Sequence, residues 1–206
     1  MEKTVFLFRR HPERSPEDFA RHYTEVHAVL GRQLTRCLLG YTVNIVQSGA
    51  PPEAITEHWV RVAGDLFDPE VAYASMEDYQ VVVDDDDNLF DGFDLYIVDE
   101  EQVIVAGEPL DAPIGEVTPE CKVIWLYPAG HEIAPPPIGA CRVVDNRVRE
   151  RWVVSADGML ATASDISVIR MAWAPELEHF GGLGSDARVV KEYRQIPAPE
   201  WNSERA

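Results

Sequence analysis

Val5-Phe6-Leu7-Phe8, followed by Arg9-Arg10-His11-Pro12 and then by Ser15-Pro16-Glu17-Asp18-Phe19, sets a strand directly before a helix. Val and Phe favour a pleated backbone, and the charged run ending in Pro12 stops it. Ser15 is a good N-cap, Pro16 suits the first helical position, and Asp18 places an acid at the third. The helix is expected to run to about Leu38, with Gly40 as its stop. Beyond it, Tyr41-Thr42-Val43-Asn44-Ile45-Val46 alternates and is bounded by Gly49-Ala50-Pro51-Pro52, which reads as a second strand. His58-Trp59-Val60-Arg61-Val62 reads as a third, Ser75-Met76-Glu77-Asp78 opens a second helix, and residues 93–98 make a fourth strand.

Strand, helix, strand, strand, helix, strand is the order of the ferredoxin-like split unit, so the expected fold class is α+β. Residues 105–119 contain three Pro and two Gly without an apolar period, the composition of a connector. The chain therefore divides into residues 1–108 and residues 109–206. The later part shows strands at 121–127, 141–154, 166–173 and 187–196 but little helix. Pro135-Pro136-Pro137 bars one, and residues 175–180 make one short turn at most. It reads as a β-rich, degenerate second copy of the unit, its sheet packed face to face on the first.

The 206 residues carry a net charge of -18. Residues 1–108 hold 8 basic against 22 acidic side chains, so most of the excess lies there. Such a surface repels nucleic acid and anionic membranes, and neither is expected as a partner. No apolar run approaches the roughly 18 residues that cross a bilayer. The N-terminal apolar stretch is too short for the core of a signal peptide, and a cytoplasmic protein is expected. Cys37, Cys121 and Cys141 are far apart with no CxxC pair, and read as buried thiols. A P-loop, a dinucleotide-binding glycine pattern, HExxH and GxSxG are all missing, so no cofactor or metal is expected.

On a wheel of 100° per residue, Phe19, Tyr23, Val26, Leu30 and Leu34 form one apolar stripe on the first helix. His27 falls at the edge of that stripe, and His22 beyond the opposite edge. His58 and Trp59 are adjacent on a strand and point to opposite faces, as do Tyr41 and Asn44. Asp84-Asp85-Asp86-Asp87 is unexpected at a helix C-terminus, where negative charge opposes the helix dipole. A solvated turn is its simple explanation; a carboxylate reaching a cation or a ligand is the other. Arg9 and Arg10 are candidates to pair with these acids or to bind an anion.

Phe8-Arg9-Arg10, then Ser15-Pro16-Glu17-Asp18-Phe19, then His22-Tyr23-x-x-x-His27 resembles the EthD family of dimeric α+β barrels. Gly40-Tyr41-x-x-Asn44, Asp86-Asp87-x-x-Phe90 and Val98-Asp99-Glu100-Glu101 extend the resemblance over roughly residues 4–104. Tyr23 stands where the family has Trp, and the segment from Asp65 to Ala74 departs from the pattern. The resemblance implies a ferredoxin-like dimeric α+β barrel whose two sheets enclose an apolar cavity. It also implies a cofactor-independent lyase or cyclase acting on an aromatic or polyketide-like small molecule, by decarboxylation, dehydration or deformylation. On it, His27 is the leading acid/base residue, with Tyr23 and Asn44 as orienting groups. The residues themselves add Tyr41, Asn44 or His58 as the group that stabilises a developing oxyanion, with Tyr41 and His58 taken as catalytic and Tyr23, Asn44, Trp59 and Phe90 as the residues that hold substrate. The alternatives are a non-catalytic small-molecule binding protein and a cofactor-independent monooxygenase. A homodimer is expected, because the later half looks too poor in helix to complete the barrel alone.

Overall fold

In the first strand, β1 (Glu2–Arg10), apolar side chains on both faces demand cover on both sides, and they receive it. Val5 and Leu7 enter one core; Phe6 and Phe8 enter another. The computed structural model describes residues 1–48, 51–106, 110, 112–155, 158–181, 183–184 and 186–199. Gly49 and Ala50 of the expected turn, and Gly107, Glu108, Pro109 and Asp111 of the expected connector, lie outside the described residues.

The helical segment begins as expected: Ser15 Oγ accepts from Asp18 N at 3.1 Å, and Pro16 opens α1 (Pro16–His22). A π-helical turn (Tyr23–His27) and α2 (Ala28–Leu34) continue it. Then come β2 (Gly40–Val46), β3 (Ala54–Val60), a 3₁₀ turn (Ala63–Phe67) and α3 (Pro69–Ala72). They are followed by α4 (Met76–Leu89) and the long β4 (Phe90–Val105). The rest is β5 (Cys121–Pro128), β6 (Arg142–Ser155), β7 (Gly158–Thr162), β8 (Ile166–Ala174), a 3₁₀ turn (Leu177–Phe180) and β9 (Ala187–Ile196). Gly40 is not a helix stop but the first residue of β2. A Cβ there would lie 2.9 Å from both Trp59 and Pro199, so the close approach needs glycine.

These strands do not form the ferredoxin-like dimeric α+β barrel expected from the sequence. They run in the order β4-β1-β3-β2-β9-β5-β8-β6-β7, and β4 also pairs with β6. Eight strands thus close into one antiparallel barrel, with β7 appended to β6. The two halves are joined edge to edge rather than stacked face to face. β2 pairs with β9 from Tyr41↔Ile196 to Val46↔Val190, and β4 pairs with β6 from Leu95↔Trp152 to Val105↔Arg142. Backbone hydrogen bonds satisfy both edges of each half within one chain, so a partner chain is not needed to close the barrel. The fold is mostly sheet, and its helices lie on the outside of one wall.

The lumen is filled. Val5, Leu7, Ile55, Tyr96, Ile124, Val144, Ile169, Met171 and Val190 pack inside, drawn from strands around the whole barrel. Beside them lies a buried layer of charge. Lys122 Nζ is 2.7 Å from both Glu57 and Glu192, and Lys3 Nζ is 2.8 Å from Glu57 and 2.6 Å from Glu100. Trp173 Nε1 donates to Glu192, and Lys3 sits over the ring of Trp59. The two lysines hold the Glu57 carboxyl far below the usual range against the opposing effect of burial. The lumen is thus occupied by these apolar and charged side chains among the described residues, and the cavity lined by the aromatic residues is elsewhere. It lies between the helices and the outer wall.

Candidate functional site

α1, the π turn, α2 and α4 cover the outer face of β1, β2, β3 and β4, where Phe6, Phe8, Tyr41, Val43, Ile45 and Ala54 form the second core. This layer leaves a cavity of about 900 Å³. Aromatic rings make much of its wall: Phe6, Phe8, Phe67, Phe90 and Phe93 with Tyr41, Tyr73 and Tyr79. Phe8 stacks on Phe90 at 4.1 Å between centroids, and Phe6 meets His58 edge-on at 5.1 Å. Gly31 lets the Tyr41 ring pass beneath α2, since a Cβ would stand 3.2 Å from that ring.

His27 lines this cavity at the end of the π turn, buried against Tyr23 and Phe90, each ring 5.1 Å away and edge-on. The wider π turn carries an extra residue, so the inward position falls one place later than a 100° wheel puts it. Val26, expected in the apolar stripe, is exposed; His27, expected at its edge, is buried. Leu30 and Leu34 are displaced to a neighbouring cluster with Cys37 and Val60.

The acidic run of α4 explains itself here. Asp85 Oδ2 lies 2.9 Å from His27 Nδ1, and its other oxygen lies 2.7 Å from His22 Nε2. Burial works against the charge of Asp85, but the two imidazoles outweigh it and hold the carboxyl below its usual range. Asp86 faces the cavity from the other side of the same ring, with Oδ1 3.6 Å from His27 Nε2. Its carboxyl is pushed up to about 6 by burial, assisted by Asp85 and Asp87 and opposed by His27. At the end of α4 one cation does match the helix dipole: Arg14 Nε donates to Asn88 O at 2.7 Å.

His58 and Tyr41 also line the cavity, their rings 4.8 Å apart. Burial, with a contribution from His27, pulls the His58 imidazole down to about 3, so it is neutral at ordinary pH. Among the described residues its Nδ1 has no hydrogen-bond partner. Tyr41 is joined to Tyr23, whose hydroxyl meets Thr56 Oγ1 at 2.6 Å; burial raises both phenols, which stay protonated. At the rim, Arg9 is held by Asp94 at 2.8 Å. Gly92, at φ +131°, leaves room for that guanidinium, since a Cβ would lie 2.8 Å from Arg9 Nη2.

Of the residues singled out in the sequence, His27, Tyr41, His58 and Phe90 meet in this cavity. Tyr23 lies behind it, its ring against His27 and its hydroxyl on Thr56. Asn44 and Trp59 are on the opposite face of the sheet. Asn44 donates to Glu57 and to Ile55 O, and Trp59 lies under Lys3, so both belong to the lumen. Asp85 and Asp86 receive no individual role from the sequence. Their signal is the misplaced acidic run, whose spacing to His22 and His27 is set by the packing of α4.

No family model matches the chain, and no curated protein matches it. A solved structure does. The crystal structure of an anthrone oxidase-like protein superposes with a TM-score of 0.57 over 97% of each chain, at 11% identity. This likeness shows the fold. Among the described residues no helix is long and apolar enough to cross a membrane.

Proposed function

We propose that the cavity is the active site of an acid–base enzyme acting on a small aromatic molecule, with His27 as the base. The observation that carries this reading is the line Asp85–His27–Asp86 at the head of an aromatic cavity. Ionised Asp85 accepts from His27 Nδ1–H, which leaves the Nε2 lone pair directed at the cavity side. A substrate hydroxyl or activated C–H placed there gives its proton to Nε2, and the negative charge passes into the substrate. His58, neutral and buried, keeps one ring N–H with which to donate to a developing oxyanion. Asp86, with its raised pKa, is suited to hold a proton and return it. The aromatic wall gives flat apolar area for binding.

Proton abstraction is the common first step of the cleavage, cyclisation and oxygenation reactions expected from the sequence. No residue of this site is specific to lyase chemistry, so the reaction is named here by its proton step. The likeness in fold to an anthrone oxidase-like protein supports a substrate of polycyclic aromatic type, within the broader aromatic or polyketide-like class that the resemblance of residues 4–104 to the EthD family implies. The test is turnover of phenolic and polycyclic aromatic compounds by wild type and His27→Ala. Loss of a general base costs about 10² to 10⁴ in rate. Retention of ligand without product, in both proteins, would favour a binding protein instead.

A further inference from the structure

We propose that the cavity selects its ligand by charge, taking uncharged or cationic aromatic molecules and turning away aromatic carboxylates. The inference rests on the reading of the cavity as a site for an aromatic molecule, and it narrows that class. Among the described residues four carboxyls line the wall, Asp86, Asp87, Asp91 and Asp94, against one permanent cation, Arg9. Arg9 is already engaged: its Nη1 is 2.8 Å from Asp94 Oδ2, and the other oxygen of Asp94 takes Arg151. Among the described residues no Lys or Arg pairs with Asp86, Asp87 or Asp91. The histidines of the wall supply no spare counter-charge. His58 is neutral, His11 Nδ1 accepts from Glu13 N at 3.4 Å, and any proton gained by His27 is balanced by Asp85.

The protein's own groups register this field. Burial raises the phenols of Tyr41 and Tyr73 on the same wall, and the charge of Asp86 adds to it. Burial likewise raises the Asp86 carboxyl, with Asp85 and Asp87 adding and His27 opposing. A ligand carboxylate entering between these rings meets the same two penalties, loss of water and like charge, with no guanidinium left to pair it. An uncharged ring system meets neither. A cationic one gains from the acids and from the aromatic faces. The choice bears on the chemistry: decarboxylation of an aromatic acid needs a carboxylate held in the cavity, which this wall does not suit. Proton abstraction from a hydroxyl or an activated C–H carries no such requirement.

The test compares three probes of one shape and different charge: 2-naphthol, 6-hydroxy-2-naphthoate and 6-(aminomethyl)-2-naphthol. Their Kd values are measured by calorimetry at neutral pH and low salt for wild type, Arg9→Gln and the double variant Asp87→Asn/Asp91→Asn. Asp87 and Asp91 are exposed, so the double variant keeps the fold. In wild type the naphthoate is expected to bind at least about tenfold more weakly than naphthol, and the amine at least as tightly as naphthol. The double variant is expected to narrow the naphthoate gap at least about threefold while leaving naphthol unchanged. Naphthoate that binds wild type as well as naphthol does, or a gap that the double variant leaves intact, would overturn the inference. Tight naphthoate binding that is lost in Arg9→Gln would overturn it too, by naming Arg9 as the anion's partner. Binding of none of the three would reject the aromatic-ligand reading and this inference with it. Turnover that is indifferent to His27→Ala would instead reject the base reading and leave the selection by charge standing.

Discussion

Asp86 carries the clearest pH signature of the site. An unfolded chain loses this proton near pH 4, whereas the folded protein keeps it to about 6. The group therefore favours the folded state below pH 4, and that contribution is lost as pH rises through 6. Asp86→Asn, which cannot ionise, is expected to unfold at a higher temperature than wild type at pH 8 and to show little advantage at pH 4. Thermal unfolding of both proteins across that range checks it; an unchanged difference would place Asp86 in ordinary solvent contact. His58 has the opposite sense of dependence. Its depressed pKa means that stability present above pH 6.5 is lost as pH falls towards 3, and His58→Asn is expected to flatten that acid limb. His27 can be singled out in the sequence because it stands in a motif on an amphipathic helix. Asp85 and Asp86 cannot, because nothing local says which of four consecutive aspartates will face two histidines some sixty residues earlier.

Secondary structure is largely legible in the sequence because its signals are local. Ser15 and Ser75 both cap helices as their side chains suggest, each accepting from the backbone N–H three residues on at 3.1 Å. Ser75 fixes the start of α4, the helix that carries Asp85 and Asp86. Ser75→Ala is expected to cost about 1 kcal/mol, read as a shift in the denaturation midpoint. The π turn is not legible. A wheel assumes 100° per residue, and the wider turn at Tyr23–His27 moves His27 inward and Val26 outward. Strand alternation holds where the wheel does not: His58 and Trp59 take opposite faces, as do Tyr41 and Asn44. Which face carries the cavity depends on where the sheet closes. For that reason Trp59 and Asn44, expected to hold substrate, belong to the lumen.

At the scale of the molecule, the closure of the sheet decides where the cavity lies and what fills the lumen. A continuous antiparallel barrel needs β2 to find β9 and β4 to find β6, contacts between residues about 40 to 150 positions apart that no local pattern encodes. The expectation of two stacked sheets fails for that reason, and with it the need for a second chain to enclose a cavity. The lumen layer of Lys3, Glu57, Lys122 and Glu192 is the molecule's other dependence on closure. Glu57→Gln would leave two buried ammonium groups short of a counter-charge and is expected to destabilise the fold by about 3–5 kcal/mol. The carboxyl of Glu57 is depressed in the fold, so its contribution is present above pH about 4.5 and lost as pH falls further. Denaturant titrations of wild type and Glu57→Gln at pH 7 and pH 4 should therefore show the gap narrowing with acid. The central claim, however, concerns the cavity outside the barrel. Wild type and His27→Ala would be incubated with a panel of phenolic acids, lignin-type aromatics and polyketide analogues, and the products analysed by mass spectrometry. The account predicts a change of substrate mass, or a new isomer resolved by chromatography, with wild type and at least roughly a hundredfold less of it with His27→Ala. Equal conversion by both proteins, or none by wild type on a panel that it binds, would contradict it.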